Sequence, residues 1–91
     1  MSHISYYQPS ENILCQKVGD EAVLLDMQSS KYFGLSSVAT RIWELLEDGQ
    51  SVDSAAETVA AQYHQPAGQV LKDTLAFIET AASRGLLRQR A

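Results

Sequence analysis

Two short gaps near the start of this chain constrain its fold more than any other feature. Only Gly19 and Asp20, both turn formers, stand out in the gap between "ILCQKV" (Ile13 to Val18) and "AVLLDM" (Ala22 to Met27). Gln28, Ser29 and Ser30 alone separate the second run from "KYFGL" (Lys31 to Leu35). Each run has the length and residue types of a strand and is bounded by turn formers. Gaps this short have no room for the crossover that joins parallel strands, so the three runs are expected to form an antiparallel meander. KYFGL then pairs on one side with AVLLDM and leaves its other side free, and nothing local says what occupies that edge.

From Ser36 the apolar period lengthens from two to nearly four. Ser36 is placed to cap "SVATRIWELLEDG", in which Val38, Ile42, Leu45 and Leu46 recur at helical spacing and Gly49 supplies a stop. A second helix is expected over roughly Asp53 to Tyr63, broken by "HQPAG", where Pro66 suits the opening of the next helix. The third helix, "AGQVLKDTLAFIETAASRG", ends at Gly85 and presents two apolar rows. Leu71, Leu75, Ile78 and Ala82 are expected to face the core. Val70, Thr74, Phe77 and Ala81, about a quarter-turn away, are expected to line a surface groove, with Asp73 and Arg84 on its outer margin. The plain alternative is one wide core-facing stripe. Residues 1–12 read as irregular and flexible, although "ISYYQ" can add a short strand, and "LLRQR" is expected to trail off, with 88–91 flexible.

The chain has 91 residues, which suits one domain with a single core. No apolar run is long enough to span a bilayer, and "MSHISYYQPS" lacks the basic and apolar regions of a secretory signal, so a cytoplasmic location is the expectation. The net charge is −4, and no Lys or Arg lies between Arg41 and Lys72, a stretch that holds Glu44, Glu47, Asp48, Asp53 and Glu57. That stretch repels polyanions. Arg84, Arg88 and Arg90 make a small basic tail that reads as a solubilising end. Cys15 is the single cysteine, so an intrachain disulfide is excluded, and its apolar setting reads as a small, buried, inert residue of the sheet.

The usual signatures of chemistry are missing. His3 and His64 are far apart and show neither H-x-x-x-H nor cysteine spacing, so no metal site is expected. A nucleophilic cysteine needs a base and an activating setting, and the run around Cys15 offers neither. The glycines are scattered and build no phosphate-cradling loop. The carboxylate pairs Glu44 with Glu47 and Asp53 with Glu57 fall on expected exposed helix faces, as solvated charge and not as an acid/base dyad. A binding module remains. Three strands and three helices also describe a winged-helix variant, usually a reader of nucleic acid. Such a reader needs a basic recognition helix and wing, and here only Lys72, Arg84 and Lys31 are available, opposed by the acidic helices.

The run "VGDEAVLLDMQSSKYFGLSSVATRIWELLEDGQSV", with "VLKDTLAFIETAASRGLL" after it, resembles the PqqD-like family, the recognition domains for leader segments of ribosomally made, modified peptides (RiPPs). The resemblance spans about Ile13 to Leu87. Its most specific pieces are "LLDMQSSKYFGL" directly before the helix bearing "IWELL", and "DTLAFI" ahead of "RGLL". It is similar in particular to the stand-alone members from lasso-peptide pathways.

The resemblance implies an α+β, winged-helix-like fold, a three-stranded antiparallel sheet packed on three helices, forming one leader-recognition domain over 1–91. It implies no catalysis, no cofactor and no metal. Family members take up the leader of a precursor peptide as an added strand beside the third strand, in the cleft toward the third helix. The expected leader-binding residues are therefore Lys31, Tyr32, Phe33 and Gly34 on the strand, and Val70, Asp73, Thr74 and Phe77 on the helix. Asp73 matches the acidic position of the family's helix, and Gly34 allows close backbone approach or marks a bulge. The expected partners are the precursor peptide, a leader peptidase and a cyclase, with no nucleic acid and no membrane. A monomer is expected, with an edge-mediated dimer as the alternative state.

Overall fold

The computed structural model describes residues 5–90. Strands β1 (Tyr7–Pro9), β2 (Ile13–Val18), β3 (Glu21–Asp26) and β4 (Lys31–Leu35) precede helices α1 (Ser37–Glu47), α2 (Val52–Gln62) and α3 (Ala67–Ser83), and β5 (Leu87–Gln89) follows. The expected meander forms, in the order β2-β3-β4. Gly19, at φ 67°, opens the two-residue β2–β3 turn, and Asp20 stays at negative φ, the pattern of a type II′ hairpin. Between β3 and β4 the Asp26 carboxylate organises the loop. It accepts hydrogen bonds from Asn12 Nδ2 at 2.6 Å and from the Gln28 and Ser29 amides at 3.0 and 3.4 Å.

Ser36 caps α1, its hydroxyl accepting from the Ala39 amide at 3.2 Å, and Ser51 caps α2 in the same way through Ser54. The helices end alike. At α3 the Leu86 amide donates to Ala81 O and the Gly85 amide to Ala82 O, a Schellman closure with Gly85 at φ 74°. The core lies between the sheet and the helices, with Leu24, Trp43, Leu46, Val52 and Val59 among its deepest side chains. Among the described residues no helix is long and apolar enough to cross a membrane.

Three expectations need correction. The tail does not trail off: β5 pairs antiparallel with β1, Tyr7 opposite Gln89 and Pro9 opposite Leu87, and Leu86 and Leu87 are buried. Strands of three residues, one containing proline, have too few positions to show alternation, and their pairing bridges opposite ends of the chain. Met1 to Ile4, part of the segment expected to be irregular, lie outside the described residues. Cys15 is exposed, not buried. It sits on the edge strand β2, five of whose six residues are exposed.

The third correction concerns α3. Its buried residues are Val70, Thr74 and Ala81 of the second expected row and Ile78 of the first, so the helix buries chiefly the row expected to line the groove, and Ala82 of the expected core row is exposed. Leu71 and Leu75 are half-buried on one flank, and Phe77 is half-buried on the other. Two adjacent apolar rows allow several helix rotations of similar burial, and packing of α3 against α2 and β5 selects among them.

Candidate functional site

Ladder geometry decides which backbone groups of β4 are free. A two-residue hairpin makes its closing pair, Val18 with Glu21, a hydrogen-bonded pair, and such pairs then alternate along β2 and β3. The Met27 amide donates to Asn12 O at 2.9 Å, which is where the alternation puts the next bond. Glu21, Val23 and Leu25 therefore bond to β2, and Ala22, Leu24 and Asp26 turn their backbone toward β4. Their partners there are Leu35, Phe33 and Lys31. It follows that Tyr32 and Gly34 aim their N–H and C=O groups away from β3, along an open edge.

Side chains on β4 alternate in the same way. Leu35 is buried and Phe33 half-buried against the core, while Tyr32 is 70% exposed on the opposite face. Beside the Phe33 face runs a groove of ≈ 310 Å³. Its strand wall is Phe33, Gly34 and Leu35, its floor Ala81 and Leu86, and its helix wall Phe77, Thr80 and Arg84. Phe77 and Thr80 lie at i and i+3 on one flank of α3, and Arg84, its C-cap residue, continues that spacing at i+7. The Arg84 guanidinium carbon lies 5.7 Å from the centroid of the Phe33 ring, within cation–π range. A hollow of similar size beside Tyr7 and Leu75 is bordered by a single strand residue, Tyr7 of the three-residue β1, too short a run to hold an extended chain as a ladder.

The structure brings Phe33, Gly34 and Phe77 together around this groove, with Lys31 beyond its end in a hollow shared with Arg84. Tyr32 contributes backbone to the edge, not side chain to the groove. Val70 and Thr74, expected on the wall, are buried (6% and 0% exposed) and do not line it. Asp73 also lies off the groove, exposed, and accepts a hydrogen bond from Gln69 Nε2 at 3.0 Å. Sequence reasoning missed Thr80 as a wall residue and placed Arg84 only on the groove's outer margin. The available signal was their helical spacing from Phe77.

Electrostatics distinguish the two edges. Lys17 on β2 pairs with Glu44 on α1 at 2.9 Å, and that hydrogen bond holds the Glu44 carboxyl below the usual glutamate range. Partial desolvation of the otherwise exposed Cys15 thiol, and then the Glu47 and Glu44 charges, push its pKa up, which keeps it protonated near neutral pH. Asp26 is held low by the Ser29, Gln28 and Asn12 hydrogen bonds, which outweigh a desolvation that acts to raise it.

Comparison with known proteins meets this geometry. Residues 21–87 match the family described as coenzyme PQQ synthesis protein D (PqqD). No curated protein matches. Among solved structures, one described as TbiB1 in complex with the TbiA(beta) leader peptide is 33% identical, with a TM-score of 0.84 over 92% of this chain and 98% of that one. Another, a lasso peptide synthetase B1 complexed with the leader peptide, is 23% identical and shares the fold, with a TM-score of 0.83 over 90% of this chain and 96% of that one. The family match covers most of the chain and the first of these structures nearly all of it, so the chain belongs to the PqqD family.

Proposed function

We propose that this protein binds the leader segment of a ribosomally made precursor peptide as a fourth strand on β4 and presents it to a leader peptidase and a cyclase. The observation that supports this most directly is the conjunction at β4: an edge whose Tyr32 and Gly34 backbone groups are free, directly beside an apolar groove walled by Phe77. Strand addition supplies affinity through main-chain hydrogen bonds and selectivity through alternate side chains in the groove. The leader peptides bound to the two structurally similar proteins support the choice of ligand. The lasso-type pathway is the reading these similarities favour, and the cytoplasm is the compartment in which the protein acts.

In this reading the chain itself cuts and joins nothing. It raises the effective concentration of precursor at its partner enzymes, which is sufficient reason for a separate binding protein. The test is fluorescence anisotropy with a labelled synthetic peptide spanning the leader of the precursor encoded beside this chain, followed by mass spectrometry of the mixture. One-to-one binding with an intact peptide and a shallow salt dependence is expected. Turnover of the peptide by the isolated protein, or tight and steeply salt-dependent binding to duplex DNA in place of the peptide, overturns the proposal.

A further inference from the structure

We propose that the groove selects a peptide with an apolar side chain and, two residues along on the same face, a carboxylate that meets Arg84 and Lys31. This deepens, and rests on, the strand-addition reading. Lys31 has the parity of Phe33 and Leu35, so all three project to the helix side of the sheet. Arg84 stands between two adjoining hollows, the apolar groove and a second of ≈ 390 Å³ bounded by Asp26, Ser29, Lys31 and Phe33. The apolar end and the basic end of the site therefore lie in line along β4.

The described ion pairs engage Lys17, Arg41 and Arg88, and neither Lys31 nor Arg84. Asp26, the carboxylate sharing their hollow, is taken up by Asn12 and the loop amides at 2.6 to 3.4 Å. Lys31 and Arg84 thus outnumber the Asp26 carboxylate in that hollow, a local excess of positive charge on a chain whose net charge is −4, which favours an acidic group there. The Phe33 ring beneath the guanidinium orients Arg84, a preorganised donor suited to a carboxylate. Same-face neighbours on an extended strand are about 7 Å apart, the step from Phe33 to Lys31. A peptide strand aligned with β4 that fills the groove therefore brings its next same-face side chain to the basic end. The pairing sets register as well as affinity, because main-chain bonds alone permit slippage by two residues.

The experiment is selection from a displayed library of random 12-residue peptides against the wild type, Arg84→Glu, Arg84→Gln and Gly34→Pro, each first checked by circular dichroism and melting. The wild type is expected to enrich Asp or Glu two residues from a large apolar residue. Arg84→Glu is expected to move that preference to Lys or Arg. Synthetic peptides differing only in Glu or Lys at that position should exchange their order of affinity between the two proteins, by tenfold or more. Should Arg84→Glu not fold, Arg84→Gln serves, with loss of the acidic preference and no change at the apolar position. If the wild type enriches the apolar residue without an acid, or the Arg84 variants recover the same peptides as the wild type, the electrostatic selection is overturned while strand addition stands. If Gly34→Pro recovers the wild-type set, strand addition itself falls.

Discussion

The sheet has two open edges, and they are built differently. On β2 the residues facing the helices are Ile13, Cys15 and Lys17, and five of its six residues are exposed. Its inward-facing lysine is tied to Glu44 at 2.9 Å, whereas the inward-facing Lys31 of β4 has no ion pair among those described. On β4 the corresponding positions are Lys31, Phe33 and Leu35, and α3 stands beside them across the groove. The free backbone groups are equivalent in kind on the two edges. What differs is the wall. An edge supplies hydrogen bonds to any strand, whereas a groove beside it supplies a reason for one particular strand to stay.

Proline substitutions put the largest strain on that contrast. Gly34→Pro removes an outward N–H from β4 and should weaken leader binding about tenfold or more, with the fold retained. Cys15→Pro does the same to the outward N–H of β2, and should leave binding unchanged. Phe33→Pro, whose N–H bonds back to Leu24 across the sheet, should unfold the domain. Circular dichroism and anisotropy on the three variants decide the matter; equal loss of binding at Cys15 and Gly34 would mean that the wall does not choose the edge.

A smaller effect separates the half-buried flank of α3 from its buried face. Phe77→Ala should cost about 1–3 kcal/mol of leader binding. Thr74→Val should leave binding alone and raise stability by about 1 kcal/mol, because the Thr74 hydroxyl is buried with no hydrogen-bond partner among the described residues. In a domain of this size that is a rise in melting temperature of about 4–8 °C. A Thr74→Val variant that binds less tightly would return Thr74 to the groove.

The smallest expected change concerns the ion pair on β2. Glu44→Gln should cost about 0.2–1 kcal/mol at neutral pH. The Lys17 hydrogen bond lowers the folded-state pKa of Glu44, so its contribution is complete above the unfolded value near ~4.3 and is lost as pH falls through the folded value. The melting curves of variant and wild type should therefore converge in acid. Curves that stay parallel down to pH ~2 would show that the Lys17 ion pair contributes nothing there.

Much of the architecture was legible because it is local. The two hairpin gaps, the capping serine at 36 and the stops at Gly49 and Gly85 act within a few residues, where spacing and side-chain chemistry are sufficient; the Ser51 cap of α2 was not read from the sequence. Even among helix ends the limit is visible. α2 closes like its neighbours, the Gln65 amide donating to Ala60 O, but with His64 at φ 53° in place of glycine, so that no residue type announced it.

By itself, then, the sequence determined the meander, the free edge at KYFGL, the three helices and a second apolar row on the third helix, and the family resemblance put that helix beside the edge. Only the tertiary structure decided that α3 buries chiefly its second row, that Val70 and Thr74 belong to the core, that Arg84 reaches over Phe33, and that β1 and β5 pair. The physical reason is the range of the interactions. Turns and caps are settled by neighbours in the chain, whereas the rotation of an amphipathic helix and the meeting of distant strands are settled by which arrangement buries the most apolar surface at once.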